Sequence, residues 1–205
     1  MEFPILSSLI LLPSIGAFFL FFTRSQKEKQ ITIKYVALFT SLVNFFLSIY
    51  LWILFDEATS EFQFVEERIW IEGLINYKVG IDGISILFII LTTFITPLCI
   101  ISVNNSIKER LAEFLIAVLI MESFMIGVFC SLDLVVFYLF FEAGLIPMFL
   151  IIGIWGGIRR VYSAFKFFLY TLLGSVLMLV AIISIYWITG TADIAKLYEL
   201  GIDTQ

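Results

Sequence analysis

Two glutamates inside apolar segments are the residues best placed to do chemistry in this chain. Glu142 lies in the middle of a run from Asp133 to Gly153 that is otherwise apolar, and Glu122 lies inside the preceding apolar run. A charge at the centre of a membrane-spanning helix costs about 2.5–3.5 kcal/mol on insertion scales, so such an acid is read as functional. A desolvated carboxyl group can load and release a proton near neutral pH. The pair predicts a proton relay, with neutral acids that only pack against neighbouring helices as the alternative.

The connection between the two glutamate-bearing segments is short, which predicts an antiparallel hairpin. Its centre is Leu132, and Glu122 lies ten residues before it while Glu142 lies ten residues after it. At about 1.5 Å per residue, both carboxyl groups are expected roughly 15 Å from the outer membrane face, near the bilayer midplane. Two acids at equal depth favour a relay over two unrelated packing groups.

Four further residues are candidates for supporting such a relay. Pro147 has no N–H for the carbonyl four residues earlier, which leaves an acceptor beside Glu142 for water, and a simple kink is the alternative. Lys166 lies eight residues into the next span and about 12 Å from Glu142 in depth, which favours snorkelling to the inner face over direct pairing. Tyr138 and Ser123 supply hydroxyl groups for water wires, as in many helical bundles.

Composition places the chain among integral membrane proteins. Hydrophobic residues make up 61% and charged residues 14% of the 205 residues, so a soluble domain is excluded. The net charge of −5 comes without a basic cluster that would suit nucleic acid. Histidine is absent and both cysteines, Cys99 and Cys130, lie in apolar runs, so neither a metal site, nor a disulfide framework, nor a cofactor site is expected in this chain.

Six apolar segments are long enough to cross a bilayer, which predicts an all-α membrane bundle forming one domain over residues 1–205. They cover residues 3–22, 33–55, 80–103, 111–131, 133–153 and 161–188, and a polar tail follows to residue 205. Between the second and third spans, apolar and polar residues alternate in Phe62-Gln-Phe-Val and Arg68-Ile-Trp-Ile before Gly73. This alternation predicts a short strand hairpin at the membrane face.

The loops carry an uneven distribution of basic residues. If the six spans alternate in direction, nine of the twelve lysines and arginines lie on one side of the membrane. The positive-inside rule makes that side the inner one, so both ends of the chain and the predicted hairpin are expected outside.

Several motifs resemble one family. Phe140-Phe-Glu-Ala-Gly-Leu-Ile-Pro-Met, Gly153-Ile-Trp-Gly-Gly, Lys166-Phe-Phe-Leu-Tyr-Thr-Leu-Leu-Gly-Ser and Val79-Gly-Ile-Asp-Gly-Ile-Ser are similar to the amino-terminal part of the antiporter-like M subunit of bacterial NADH:quinone oxidoreductase, respiratory complex I. The resemblance implies that Glu142 matches the family's essential fifth-helix glutamate and that Glu122 matches an acid often found in the fourth helix. It also implies the first part of an antiporter-like helical bundle.

The resemblance implies a function in the bacterial inner membrane. The expected role is proton translocation beside other membrane-arm subunits of an enzyme whose NAD, flavin, iron–sulfur clusters and quinone are bound elsewhere, with no electron-transfer site in this chain. Family members have further helices with lysines that pair with the fifth-helix glutamate, so this sequence is expected to be a fragment, a split gene product or a truncated product that does not pump alone. A subunit of a multi-chain cation/proton antiporter or membrane-bound hydrogenase, and a non-pumping membrane protein, are the alternatives.

Overall fold

The computed structural model describes residues 4–23, 30–71, 75–103, 107 and 109–200. These residues form α1 (Ile5–Thr23), α2 (Gln30–Leu54), β1 (Gln63–Ile71), β2 (Ile75–Ile81), α3 (Gly83–Ser102), α4 (Leu111–Cys130), α5 (Leu134–Trp155), α6 (Arg160–Thr189) and α7 (Ile194–Leu200). The helices α1 to α6 are long and apolar enough to cross a membrane. The predicted all-α membrane fold with six spans is therefore confirmed.

The strand hairpin between the second and third spans is also confirmed. β1 and β2 pair antiparallel, with Glu67 opposite Lys78 and Arg68 opposite Tyr77. The turn predicted at Gly73 lies outside the described residues. We call the end of the bundle that carries β1 and β2 the hairpin end.

The structure changes the predicted start of the third span and the predicted polar tail. The predicted third span begins at Gly80, but β2 continues to Ile81 and the helix begins only at Gly83. Asp82 sets this boundary, because its side chain accepts a hydrogen bond from the Ser85 N–H and caps the helix. The predicted polar tail contains a short helix, α7, which follows the left-handed cap of α6 at Gly190.

α4 is the central helix of the bundle. It packs against α1, α2, α3 and α5, whereas α6 packs against the far side of α5. Two clusters of buried side chains fill the interior. The cluster nearer the hairpin end joins β2 to the helices through Leu6, Leu9, Leu51, Val79, Ile81, Ile86 and Ile126, and the other cluster contains Ala17, Leu20, Ile33, Ala37, Ile100, Leu115 and Leu119.

The hairpin is tied to three helix ends. The Glu66 carboxylate accepts a hydrogen bond of 2.8 Å from the Leu6 N–H and so caps the otherwise unsatisfied start of α1. The Leu132 N–H donates to the Lys78 carbonyl at 2.9 Å, and the Lys78 ammonium pairs with Asp193 at 2.6 Å. These contacts hold the ends of α1, α4 and α5 and the segment after α6 together at the hairpin end.

Candidate functional site

Glu122 is buried between α4 and α2. Its side chain is 1% exposed, and Oε1 accepts a hydrogen bond of 2.9 Å from Asn44 Nδ2. The other carboxyl oxygen, Oε2, and the Asn44 Oδ1 are buried without a hydrogen-bond partner. One hydrogen bond thus joins the carboxyl group of Glu122 to the amide of Asn44, and one oxygen of each group has no hydrogen-bond partner.

Asn44 belongs to a polar stripe on α2 that sequence reasoning missed. Ser41, Asn44 and Ser48 are all fully buried and follow one another at three and four residues, which places them on one helix face. Ser48 Oγ lies 2.7 Å from Thr93 Oγ1 on α3. The regular spacing of small polar residues in an apolar helix was the signal that could have identified this face.

Ser123 faces α1, although it follows Glu122 directly. Its hydroxyl donates to the Ile10 carbonyl, and it accepts a hydrogen bond of 2.8 Å from Ser14 Oγ. Small polar residues commonly join membrane helices in this way. Both hydrogen bonds of Ser123 therefore connect α1 to α4, and neither reaches a glutamate.

Glu142 occupies the face of α5 that turns towards α6. It lies seven residues before Phe149 and eleven before Gly153, which are spacings that return to the same side of a helix. Phe149 packs against Phe165 at 5.4 Å between ring centroids, and Gly153 lies beside Ala164. The Glu142 side chain is partly exposed, but its Oε2 is buried and has no hydrogen-bond partner.

The opposite face of α5 packs against α4. A Cβ placed on Gly127 would lie 2.6 Å from the Phe140 ring, so the ring occupies the space that glycine leaves. A Cβ on Gly144 would lie 3.9 Å from the Phe124 Cβ. The α4–α5 interface is thus formed by residues that point away from both glutamates.

The two acids lie at similar depth but do not face each other. Glu122 is eight residues before the end of α4 at Cys130, and Glu142 is eight residues after the start of α5 at Leu134. Both are about 12 Å from these helix ends, and the contact of Gly144 with Phe124 keeps them within about one turn of each other. Glu122 contacts Asn44 on α2, whereas Glu142 lies on the same side of α5 as the residues that pack against α6, so the two side chains lie on different faces of the helix pair.

The other three residues predicted to support the relay, Lys166, Tyr138 and Pro147, differ in exposure and position. Lys166 is exposed in the second turn of α6, with Nζ 6.0 Å from the centre of the Tyr162 ring, and the described residues contain no ion pair between it and Glu142. Tyr138 lies one turn before Glu142 on the same face of α5. Pro147 is buried, and α5 continues through it to Trp155.

A buried aspartate, Asp133, lies at the hairpin end, away from the two glutamates. Asp133 is buried in the connection between α4 and α5 and caps α5 by accepting hydrogen bonds from the Val135 and Val136 N–H groups. Burial raises the pKa of Asp133, and the nearby Asp193 adds to this effect, while the two N–H groups and Lys78 oppose it. Sequence reasoning used Asp133 only as a span boundary.

The chain is similar to known membrane subunits. A family model described as "NADH:quinone oxidoreductase/Mrp antiporter, TM" matches residues 131–204. NADH-quinone oxidoreductase subunit M of Rhodobacter capsulatus is 60% identical over 164 residues, covering 80% of this chain and 32% of the relative. NADH-ubiquinone oxidoreductase chain 4 of Marchantia polymorpha is 49% identical over 92% of this chain and 38% of the relative.

Two solved structures share the fold. A chain of respiratory complex I from Thermus thermophilus with bound NADH superposes with a TM-score of 0.78 at 26% identity, covering 92% of this chain and 38% of that chain. A chain of an archaeal membrane-bound sulfane sulfur reductase gives a TM-score of 0.85 at 19% identity, covering 99% of this chain and 41% of that chain, which shows the fold alone.

The match covers part of each relative. The chain spans 32–42% of the length of the curated relatives it matches, among which subunit M of Rickettsia conorii is 45% identical over 98% of this chain. The relatives are subunits of an enzyme complex, and the six apolar helices agree with a multi-pass membrane protein. The predicted resemblance to the antiporter-like M subunit of NADH:quinone oxidoreductase is thereby confirmed over nearly the whole of this chain.

Proposed function

We propose that this chain is a membrane-arm subunit that contributes to proton translocation in an NADH:quinone oxidoreductase, with Glu142 and Glu122 as proton-carrying groups. The observation that carries the proposal is the Glu142 carboxyl group: it lies in mid-span with one buried oxygen unpartnered, in a chain 45–60% identical to curated M subunits. NAD, flavin, iron–sulfur clusters and quinone would be bound by other subunits, and the other membrane-arm subunits would be the partners. The location would be the bacterial inner membrane.

The chemistry of Glu142 supports this role. A buried oxygen without a donor costs about 1–3 kcal/mol, and a proton, a water molecule or a cationic side chain would relieve that cost. None of the ion pairs among the described residues involves Glu142. We therefore propose that a lysine outside the described residues approaches the α6-facing side of α5 and alternates with a proton as the partner of Glu142.

Three further residues would assist the transfer. Tyr138 lies one turn before Glu142 and would bind water on that side of the acid. The Ala143 carbonyl, which lacks an N–H donor because of Pro147, would bind water on the other side. Lys166 is exposed near the start of α6, where its ammonium would reach the membrane surface and act at the proton entrance.

The experiment that tests the proposal is the replacement Glu142→Gln in the assembled complex. Glutamine keeps the shape but cannot carry a proton, so NADH-driven acidification of inverted membrane vesicles should fall by about 100-fold, in the range of general acid–base effects. A pH-sensitive dye records the acidification, and immunoblotting of the intact complex records assembly.

Glu57→Gln is the matched control. It makes the same chemical change in the exposed segment between α2 and β1, and acidification should equal that of the parent. Normal acidification with Glu142→Gln in a fully assembled complex would refute the role of Glu142.

One alternative has its own support. The matching family model names the Mrp antiporter beside the oxidoreductase, so a subunit of a cation/proton antiporter is the second candidate function. Purifying the chain with its partners separates the two. Flavin and iron–sulfur absorption in the purified complex favours the oxidoreductase, and their absence together with Na⁺-dependent proton exchange in vesicles favours the antiporter.

A further inference from the structure

We propose that Asn44 is a positioning residue for Glu122, which it holds as a neutral carboxylic acid in a carboxylic acid–carboxamide pair. The inference rests on the proposed relay function, since it names the residue that keeps one acid of the relay loaded with its proton.

The pair has more hydrogen-bond acceptors than donors for the contacts it could make. Asn44 Nδ2 donates to Glu122 Oε1 at 2.9 Å, while Glu122 Oε2 and Asn44 Oδ1 both lack a partner. Two acceptors cannot satisfy one another, but a proton on Oε2 turns that oxygen into a donor for Oδ1. A single proton thus satisfies both unpartnered atoms, and an ionised carboxylate satisfies neither.

The geometry of the two groups allows this second hydrogen bond. A carboxyl group and a carboxamide are both planar with two polar atoms, so two parallel hydrogen bonds can join them. The terminal torsions of glutamate and asparagine have broad minima, so rotation about them can turn Oε2 and Oδ1 towards each other while Nδ2 stays on Oε1.

In the part of the chain that the structure describes, Asn44 is the hydrogen-bond donor to Glu122 and no cation pairs with the acid. On the same face of α2, Ser41 Oγ donates to the Leu38 carbonyl and Ser48 Oγ donates to the Phe45 carbonyl. Among the described residues, Glu122 takes part in no ion pair. A carboxylate at a site with 1% exposure would therefore keep an uncompensated charge, which a low-dielectric interior strongly disfavours.

The pair gives the two acids of the relay different tasks. Glu122 has a carboxamide whose unpartnered oxygen can accept a hydrogen bond from its protonated form, whereas the described residues hold no such partner for Glu142. Release of a proton from Glu122 then requires the Asn44 pair to open. Glu122 is the loaded acid at rest, and Asn44 determines how tightly the proton is held.

Infrared spectroscopy of the native membrane assembly tests the proposal. A protonated carboxylic acid has a carbonyl stretch separate from the bands of carboxylates and amides, and uniform ¹³C labelling of glutamate shifts it and assigns it to a glutamic acid. The parent should show such a band at neutral pH, and Glu122→Gln should remove it. The introduced glutamine amide would reproduce both hydrogen bonds with Asn44, so assembly should be retained.

Asn44→Leu then tests the contact itself. Leucine has a similar size but makes no hydrogen bond, so the Glu122 band should move to higher wavenumber. Ser41→Ala is the control, because it removes a buried hydroxyl from the same face of α2 without changing the pair, and the band should stay in place. A simple loosening of α2 would move the band in both variants.

Three results would overturn the proposal. The parent could lack a glutamic acid band that Glu122→Gln removes, which would mean that Glu122 is ionised. The band could be present but unmoved in Asn44→Leu, or it could move equally in Ser41→Ala. These outcomes are independent of pumping: normal acidification with Glu142→Gln refutes the proposed function and leaves the infrared result intact.

Discussion

At the scale of single residues, the second oxygen of each buried acid distinguishes Glu122 from Glu142. Both Oε2 atoms are buried and unpartnered, but only Glu122 has an asparagine whose own oxygen is also unpartnered. The asparagine supplies the means to satisfy Glu122 within the described residues. Glu142 has no comparable group among them, and its proposed partner must come from elsewhere.

Asp133 offers a residue-scale prediction about pH. Its pKa is raised, chiefly by burial, so the folded chain binds its proton more tightly than the unfolded chain does. The stabilisation is fully present below the ordinary aspartate pKa of about 3.9 and is lost as the pH rises through the raised value. Asp133→Asn keeps the cap on α5 but does not titrate, so this part of the pH dependence should vanish.

The midpoint of thermal unfolding, recorded for the parent and for Asp133→Asn across the acidic pH range, measures this effect. The difference in midpoint between Asp133→Asn and the parent should grow in favour of the variant as the pH rises. Asp56→Asn, in the exposed segment before β1, should not reproduce it. A constant difference at all pH values would show that the raised pKa of Asp133 is not linked to folding.

At the scale of elements, the α4–α5 contact fixes the directions in which the two acids point. Gly127 lets the Phe140 ring lie against α4, and Gly144 lets α5 approach Phe124. With these residues in the interface, Glu122 and Glu142 are turned away from it, Glu122 towards α2 and Glu142 towards the α6 side of α5. Rotating either helix would bury an acid in the interface between them.

Gly127→Ala should therefore destabilise the hairpin of α4 and α5. The added Cβ would lie 2.6 Å from the Phe140 ring, and overpacking of this kind costs about 1–3 kcal/mol. Gly174→Ala is the control on α6, where a Cβ meets no atom within 4 Å, and it should be neutral or slightly stabilising.

The midpoint of thermal unfolding in detergent gives the comparison. Phe140→Leu in the Gly127→Ala background should recover part of the loss, because the smaller side chain vacates the space. Equal midpoints for the two glycine variants would contradict the importance of this contact.

At the scale of the whole molecule, burial is distributed unevenly. In the membrane-spanning parts, 44% of α4 but only 17% of α5 and 11% of α6 is buried, so the side of the bundle that Glu142 faces is the least covered. In our proposal, further helices of the assembly cover this side and bring the cationic partner of Glu142.

The orientation of the whole molecule can be tested with single cysteines. The basic loops predict that the segment between α2 and β1 is outside and that between α5 and α6 is inside. In a Cys99→Ser background, Ser60→Cys should react with a membrane-impermeant maleimide in right-side-out vesicles, whereas Ile158→Cys should react only after permeabilisation. Both substituted positions are exposed. The reverse pattern would invert the predicted topology.

Sequence alone determined the number of spans, the strand hairpin, and the similar depth of Glu122 and Glu142. Each of these depends on composition or on distance along the chain: a helix rises by about 1.5 Å per residue, so counting residues from a turn gives depth. The family resemblance also depended only on local motifs, and the match to M subunits confirmed it.

Tertiary structure decided which way the acids point and what they meet. α4 and α5 are apolar on nearly every side, so no polar face in their sequences fixed their rotation. The fit of Phe140 against Gly127 fixed it, and that fit depends on two helices at once. The pairing of Glu122 with Asn44, 78 residues apart, likewise appears only once α2 packs against α4.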